Sequence, residues 1–273
     1  MDETADHALI DLGGGALLER FGERIVDRPH PAALGARSDP AAWRSADLRF
    51  DRERGWTGPA ANEGPWTVEV GPVRLELRTT EAGQVGYFPE HASMLPWLTR
   101  QRPGAVLHLF AYTGLVTLAL AATGSEVTHL DASRPSVAWA RRNADLSGLA
   151  DRPIRWIVDD ARAFVDREVR RGRRYDGIVL HPPSYGHGTD RRAWRLEEDL
   201  PDLLAACRSL LAPDGFVLLT AHTPGFEAGR LAHTLSGGLA APVGRIESGG
   251  LVLTTSDGRS LELGSFARVP GGA

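Results

Sequence analysis

The chain has 273 residues, of which 42% are hydrophobic and 24% charged, an ordinary balance for a folded globular protein. Its formal net charge of −4 argues against a wide basic surface for gripping nucleic acid and leaves a local patch as the alternative. All 31 basic residues other than histidine are arginine, which excludes any mechanism that needs a catalytic lysine.

The sequence gives no sign of a membrane or an oxidising compartment. The first residues, 1–4, are acidic and polar, and no apolar stretch reaches the length of a transmembrane helix. We therefore expect no secretory signal, no membrane contact and a cytoplasmic location. Cys207 is the only cysteine and lies among leucines at helical spacing, which predicts a buried structural role. We expect no metal site, and the sequence does not indicate an oligomeric state.

The N-terminal part differs in pattern from the rest of the chain. Its apolar pairs are short, and glycines and prolines interrupt them frequently. Residues 66–70 and 73–77 alternate between apolar and polar around a Gly-Pro turn, which is typical of a β-hairpin. The sequence predicts a small β-rich domain over residues 1–82, with a long irregular stretch, and a second domain over 83–273.

From residue 104 onward, short apolar strands alternate with helices. The predicted strands cover residues 105–109, 127–130, 154–158, 177–180 and 216–220, and the predicted helices cover 115–122, 134–148, 161–171 and 203–211. Such alternation predicts an α/β fold with a Rossmann-like, doubly wound and mostly parallel sheet. Residues 250–253 and 260–263 flank a Ser-Asp-Gly turn and predict a C-terminal antiparallel hairpin.

The first two predicted strands end in residues suited to a cofactor. Open α/β sheets bind ligands at the carboxyl ends of their strands. The first strand leads into a tight turn whose glycine lets a ligand approach the backbone. The turn consists of Phe110, Ala111, Tyr112, Thr113 and Gly114. The second strand ends at Asp131, which could accept hydrogen bonds from both ribose hydroxyls, and is followed by Ala132 and Ser133.

The third and fourth predicted strands continue this series. Asp160 and Ala161 follow the third strand, where a carboxylate could meet an adenine amino group. Pro182 and Pro183 follow the fourth strand and would make a rigid rim, because proline fixes φ and removes a donor. Four strand ends with these groups, in this order, predict a cofactor site.

These motifs resemble those of the bacterial large-subunit ribosomal RNA methyltransferases. The matching residues are 109–114, 131–133, Trp139, Ala140, Asn143 and 181–186, and the resemblance extends over about residues 83–226. Residues 17–22 are similar to a branch of this family with a small N-terminal domain. The resemblance implies S-adenosylmethionine as cofactor and a base of ribosomal RNA, cytosine at carbon 5 or guanine at nitrogen 7, as substrate.

Residues 86–90 also resemble the segment that folds over the cofactor in that family, which makes Tyr87 and Phe88 candidate cofactor contacts. The chain departs from the family pattern at three positions. His181 stands in place of an aspartate, His108 in place of an asparagine, and Thr220–Gly225 in place of a segment with a cysteine. Methylation of cytosine at carbon 5 needs a thiolate nucleophile, so a ring or exocyclic nitrogen is the predicted target.

Three residues are candidates for the catalytic site. His181 could accept a proton near neutral pH, or it could only shape the rim. His222 follows the next strand and is expected at the same edge. Tyr185 could stack on a flipped base or pack within its loop.

The acceptor is the least determined feature of the sequence. Arg191, Arg192 and Arg195 follow the Pro-Pro motif and could contact RNA phosphates beside the site. The acidic net charge instead favours a small-molecule acceptor. A third alternative is a protein that binds S-adenosylmethionine without catalysis, since His181 replaces the usual aspartate.

Overall fold

The structure is a computed structural model that describes residues 6–186 and 193–272. Its contacts divide the chain into two compact units. The first, the N-terminal unit, extends to Ala92 and includes Val252–Leu263. The second, the sheet unit, holds Ser93–Leu251 and the segment from Gly264 onward. Within the described residues, no helix has both the length and the apolar character needed to cross a lipid bilayer.

The N-terminal unit is built on a five-stranded sheet and a separate hairpin. The sheet contains β1 (His7–Gly13), β2 (Ala16–Phe21), β3 (Arg24–Pro29), β4 (Leu48–Asp51) and β5 (Gly55–Thr57), with helix α1 (Pro40–Arg44) before β4. Its strands follow chain order and are antiparallel, except that β3 and β4 run parallel. The hairpin pairs β6 (Trp66–Val70) with β7 (Val73–Leu77), as predicted.

The strands β1 to β5 were not individually predicted, because their apolar runs are short and the glycines suggested irregular structure. Gly14 and Gly15 in fact form the tight turn between β1 and β2, with φ of +62° and +78°. Non-glycine residues seldom adopt such angles. The glycines therefore mark a hairpin, and the N-terminal unit is more regular than the sequence indicated.

One buried carboxylate organises the N-terminal unit. Asp11 lies in β1 and is 1% exposed. Its donors are the backbone N–H groups of Leu12, Ser38 and Asp39, the indole of Trp43 at 2.7 Å and the guanidinium of Arg259 at 2.7 Å. Burial alone would raise the pKa of Asp11, but these donors outweigh it and hold the pKa well below its usual range.

The second sheet has seven main strands. They are β8 (Ala105–Leu109), β9 (Glu126–Asp131), β10 (Ile154–Val158), β11 (Tyr175–Leu180), β14 (Leu211–Ala221), β15 (Glu247–Thr254) and β16 (Ser260–Val269). A separate two-stranded ribbon pairs β12 (Tyr185–Gly186) with β13 (Trp194–Arg195). The order of the seven strands in the large sheet is β10-β9-β8-β11-β14-β16-β15. The first five are parallel, whereas β16 runs antiparallel to β14.

Helices cover both faces of this sheet. They are α2 (Leu95–Arg100), α3 (Leu115–Ala122), α4 (Arg134–Leu146), α5 (Ala161–Arg170), α6 (Leu196–Arg208) and α7 (Ala228–Leu239), with 3₁₀ turns at Pro89–Met94 and Val243–Arg245. One core cluster joins Leu107 and Leu109 of β8 with apolar residues of α5, α6 and α7. His108 points to the opposite face, where it contacts Thr117 of α3. The doubly wound fold predicted from the sequence is confirmed.

Two element boundaries differ from the prediction. Helix α6 begins at Leu196, seven residues before the predicted start at Leu203, because Pro201 and the acidic first turn obscured the apolar periodicity. Strand β14 begins at Leu211, five residues before the predicted start at Phe216. The prediction that Cys207 is structural is confirmed: it is fully buried in the core, and burial raises the pKa of its thiol to about 12.

We expect Asp11→Asn to lower the free energy of unfolding by about 3 kcal/mol, because it leaves Arg259 and other buried donors poorly satisfied. Chemical denaturation followed by tryptophan fluorescence measures the change. Asp257→Asn is the matched control, since Asp257 contacts the same Arg259 from an exposed position. Equal midpoints for the two variants would contradict a central role for Asp11.

Candidate active site

The site lies where the sheet reverses its winding direction. From β8 the chain moves outward to β9 and β10, then returns past β8 to β11 and continues to β14. The crevice between the carboxyl ends of β8 and β11 is therefore the topological switch point, where open α/β sheets bind ligands. The predicted site residues of the sheet unit follow β8, β9, β10, β11 and β14 at this edge.

The loop after β8 has an unusual backbone. Phe110 and Tyr112 have φ of +56° and +49°, a left-handed conformation that costs non-glycine residues about 1–2 kcal/mol each. Neighbouring groups hold the loop in this state. The N–H of Ala111 donates to the carbonyl of Leu130 at 3.0 Å. The ring of Trp194, a residue that no sequence motif marked, lies 4.9 Å from that of Phe110.

The loop ends at Gly114, which has φ of +94° and begins helix α3. A Cβ atom there would lie 3.1 Å from the Cβ of Ala140 in α4. The glycine is thus needed for the turn and for the close approach of α3 to α4, a reason that the sequence did not reveal. Asn143, also in α4 and fully buried, donates from Nδ2 to the carbonyl of Thr113 at 2.9 Å.

Asp131, at the end of β9, fastens this loop to the start of α4. Its Oδ2 accepts from the N–H of Tyr112 and its Oδ1 from the N–H of Ser133, both at 2.8 Å. Burial raises the pKa of Asp131, and the two backbone donors oppose the increase. A carboxylate has about four acceptor positions, so two such bonds leave capacity for ribose hydroxyls. Ser133 caps α4 by accepting from the N–H of Ser136.

Asp160 performs a structural task in addition to any role with a ligand. Its carboxylate caps α5 by accepting from the N–H groups of Arg162 and Ala163 at 2.9 and 3.1 Å. It also contacts the guanidinium of Arg162, which reaches Asp199 of α6 at 3.1 Å. Ala161 is buried as the first residue of α5. The predicted contact of Asp160 with an adenine amino group stays a prediction.

Two histidines lie together beyond β11 and β14. The rings of His181 and His222 are 5.1 Å apart and nearly perpendicular. Nδ1 of His181 lies 2.5 Å from Oγ1 of Thr220, which in turn lies 3.5 Å from the carbonyl of Leu180. If Thr220 donates to that carbonyl, Nδ1 carries a proton and Nε2 becomes the basic nitrogen of the neutral ring.

Strand β16 leaves little space beside His222. A Cβ atom at Gly264 would come within 2.9 Å of Cδ2 of His222 and 2.5 Å of the carbonyl oxygen of Ala221. The glycine at this position therefore permits the histidine to sit against the sheet.

The rim after β11 is fixed by hydrogen bonds. Pro182 is buried, and Pro183 accepts from the indole of Trp194 at 2.7 Å. Ser184 Oγ lies 2.7 Å from Oγ1 of Thr223, which connects this loop to the one after β14. Tyr185 is 53% exposed, so its ring offers an accessible surface. Its predicted stacking on a base stays a prediction.

The predicted arginine patch is described only in part. Arg195 forms an ion pair with Glu198 at 3.1 Å, which partly neutralises its charge. Arg191 and Arg192 lie outside the described residues.

Tyr87 and Phe88 belong to the N-terminal unit. Tyr87 is buried, with its ring edge-on to Phe21 at 5.8 Å, and burial raises the pKa of its phenol. The ring of Phe88 lies 5.5 Å from that of His91. Their predicted contact with the cofactor stays a prediction.

A buried histidine pair beneath the site was not foreseen. Thr117 Oγ1 lies 2.8 Å from Nδ1 of His108 and 2.9 Å from Nδ1 of His129. One hydroxyl supplies one proton, so at most one of these nitrogens can accept it. Burial, and then the nearby His108, lowers the pKa of His129 well below its usual value. Its Nε2 is buried and has no hydrogen-bond partner among the described residues.

Comparison with known proteins identifies the family. The sequence model of the S-adenosylmethionine-dependent methyltransferase family matches residues 35–236, and the chain therefore belongs to this family. S-adenosylmethionine is its cofactor, and the left-handed loop, Gly114 and Asp131 fit such a ligand. The fold, cofactor and enzyme class predicted from the sequence are confirmed.

The chain is similar to the ribosomal RNA large subunit methyltransferase K/L of Methylococcus capsulatus, with 30% identity over 178 residues. The alignment covers 63% of this chain and 23% of that protein. The chain thus spans about a quarter of the length of the curated relatives it matches.

Solved structures extend the likeness to nearly the whole chain. The S-adenosylmethionine-dependent methyltransferase of Agrobacterium tumefaciens superposes with a TM-score of 0.92 and 36% identity, covering 97% of this chain and 90% of that one. An S-adenosylmethionine-dependent methyltransferase from Streptococcus mutans superposes with a TM-score of 0.78 and 14% identity. This superposition covers 98% of the present chain and 76% of the Streptococcus mutans chain. At that identity the second likeness shows the fold alone.

We expect Gly114→Ala to weaken binding of S-adenosylmethionine at least tenfold, because the new methyl group strains the turn and presses on Ala140. Isothermal titration calorimetry measures the affinity. Gly124→Ala is the matched control, because Gly124 has a similar φ of +99° but no heavy atom within 4 Å of its Cβ position. An equal loss of affinity in both variants would attribute the effect to backbone strain and not to the contact with Ala140.

We expect stability to fall as the pH drops below about 6.5, the ordinary value for histidine. Below this pH, His129 binds a proton in the unfolded chain but stays neutral in the folded protein, because burial lowers its pKa there. One such group contributes up to about 1.4 kcal/mol per pH unit. Denaturant midpoints at several pH values for wild type and His129→Asn test this, with exposed His233→Asn as control. A pH dependence unchanged in His129→Asn would refute the assignment.

Proposed function

We propose that this chain transfers the methyl group of S-adenosylmethionine to a nitrogen of an RNA base. The carboxyl-edge arrangement of Asp131, His181 and His222 carries the proposal. It combines a carboxylate suited to ribose hydroxyls with an imidazole that can accept a proton at the switch point. The K/L relatives are ribosomal RNA methyltransferases by name, and this likeness supports RNA as the substrate class.

The position of Cys207 argues for nitrogen over carbon 5. Attack on cytosine by a thiolate needs an accessible sulfur with a modest pKa. Cys207 is the only cysteine of the sequence, is fully buried in the core and has a pKa raised to about 12. A nitrogen acceptor needs no covalent intermediate, only alignment and, for an exocyclic amine, a proton acceptor.

The cofactor supplies an electrophilic methyl group, and the chain supplies the binding loop, the proton acceptor and the surface for the base. Asp131 holds the loop that would receive the adenosine moiety. Thr220 contacts Nδ1 of His181 and orients its ring, and we assign this imidazole as the acceptor of the amine proton. Tyr185, exposed on the rim, offers a surface on which a base can stack. Tyr87, Phe88, Ala132 and Pro182 are proposed as further cofactor contacts.

A small-molecule acceptor is the second candidate. It is favoured by the net charge of −4 and by the pairing of Arg195 with Glu198, which leaves less positive charge on the rim for RNA.

The location of the protein depends on which candidate is correct. An RNA substrate would imply a cytoplasmic location, because bacterial ribosomal RNA is found there.

Label transfer from methyl-tritiated S-adenosylmethionine tests both candidates. The protein is incubated with extract from its own source, and RNA, protein and small-molecule fractions are counted. We expect label in RNA that Asp131→Asn abolishes and exposed Asp145→Asn leaves intact. Label confined to small molecules would replace the RNA proposal with the second candidate. Cofactor binding without label in any fraction would favour a non-catalytic protein.

The role of His181 is tested separately. We expect His181→Asn to lower kcat about 100-fold while the Kd for S-adenosylmethionine stays within threefold, because loss of a general base affects proton transfer rather than cofactor binding. Unchanged turnover would show that the acceptor needs no base, as for a ring nitrogen.

A further inference from the structure

A cavity of about 450 Å³ opens at the opposite edge of the same sheet. Ala105, Glu126, Ile154 and Tyr175 line it, and these are the first residues of β8, β9, β10 and β11. The cofactor edge lies at the other ends of these strands, roughly 15 Å away at about 3.3 Å per residue. The cavity, called the amino-edge pocket below, is therefore separate from the candidate active site.

The amino-edge pocket is strongly basic. Arg152, Arg155, Arg173 and Arg174 line it, whereas Glu126 is the single acidic residue among its lining residues. The chain as a whole carries a net charge of −4, so this pocket reverses the sign locally. Concave basic surfaces concentrate the field and attract anions.

Most of this charge is not neutralised by the protein. Arg155 lies 3.5 Å from Glu168 and stacks over Phe164. By contrast, Arg152, Arg173 and Arg174 make no side-chain ion pair or hydrogen bond within the described parts of the chain. Three uncompensated guanidinium groups around one cavity repel one another, and an anion would relieve that repulsion.

The wall of the pocket is held in place by a buried carboxylate. Glu168 is fully buried and accepts from the hydroxyl of Tyr175 at 2.8 Å and from Arg171 at 2.9 Å. It thereby positions Tyr175 and Arg155, two of the lining residues. Hydrogen bonds thus fix the wall of the pocket, whereas no described residue uses the guanidinium donors of Arg152, Arg173 and Arg174.

We propose that the amino-edge pocket binds phosphate groups, either on an RNA backbone or on a free polyphosphate. Guanidinium groups match phosphate oxygens in a two-pronged geometry and remain charged at any physiological pH. The volume is within the range of pockets that hold small ligands. The RNA form of the proposal rests on the proposed function, whereas the free polyphosphate form does not.

Calorimetric titration of the full chain with pyrophosphate is the first test. The double variant Arg173→Gln/Arg174→Gln removes two pocket charges. The matched control Arg170→Gln/Arg208→Gln removes two exposed charges from residues that do not line the pocket. We expect at least tenfold weaker binding in the pocket variant and less than a twofold change in the control. Should the pocket variant fail to fold by circular dichroism, Arg152→Gln repeats the test.

Titration with a single-stranded RNA oligonucleotide at several salt concentrations is the second test. A plot of the logarithm of the RNA association constant against the logarithm of the salt concentration has a negative slope. Loss of two phosphate contacts should make this slope shallower by about 1.4 in the pocket variant and leave it unchanged in the control. An effect on RNA without one on pyrophosphate identifies the backbone as the ligand, and an effect on pyrophosphate alone identifies a free polyphosphate. No effect on either, or equal weakening in both variants, overturns the proposal.

The same variants separate this proposal from the proposed function. Their affinity for S-adenosylmethionine should match wild type, because the cofactor binds at the other edge. If no RNA is methylated but pyrophosphate binding depends on Arg173 and Arg174, the function fails and the pocket stands. If RNA is methylated and neither probe distinguishes the two variants, the pocket fails and the function stands.

Discussion

The carboxylate of Asp131 is the interaction on which the candidate site depends. It joins the N–H of Tyr112, in a strained left-handed loop, to the N–H of Ser133, at the start of α4. Two residues with positive φ would not persist in so short a loop without such an anchor. The loop stays pre-formed, and a ligand pays little entropy to order it. Asn143, Trp194 and the glycine-dependent contact of α3 with α4 reinforce the same state.

The family resemblance predicts an aspartate at position 181, and the imidazole present there instead changes the chemistry available at the rim. An imidazole titrates near neutral pH, whereas an aspartate is almost always charged. Thr220 at one ring nitrogen and the perpendicular ring of His222 define how this imidazole is presented. The neighbouring element, α6, supplies Asp199, which fixes Arg162 and accepts from the N–H of Arg195. The rim is thus tied to the same helix that buries Cys207.

Sequence patterns predicted the sheet unit well because its apolar strands and helices alternate clearly. They also placed Asp131 at the end of a strand and Gly114 in the turn that follows another strand, since both positions follow from the strand boundaries. Patterns could not show that Gly114 faces Ala140 or that His108 and His129 share Thr117, because such contacts arise only when distant segments pack. In the N-terminal unit, the sequence did not single out Asp11, because most of the groups that donate to it come from distant segments of the chain.

The bond between Asp11 and Arg259 joins residues 248 positions apart within one compact unit. At about 5–20 residues per second, translation of that interval takes on the order of ten seconds or more. The strands of the N-terminal unit leave the ribosome long before their arginine has been made. During this interval the carboxylate of Asp11 lacks its charged partner, so the N-terminal unit cannot form this ion pair until residue 259 has been made.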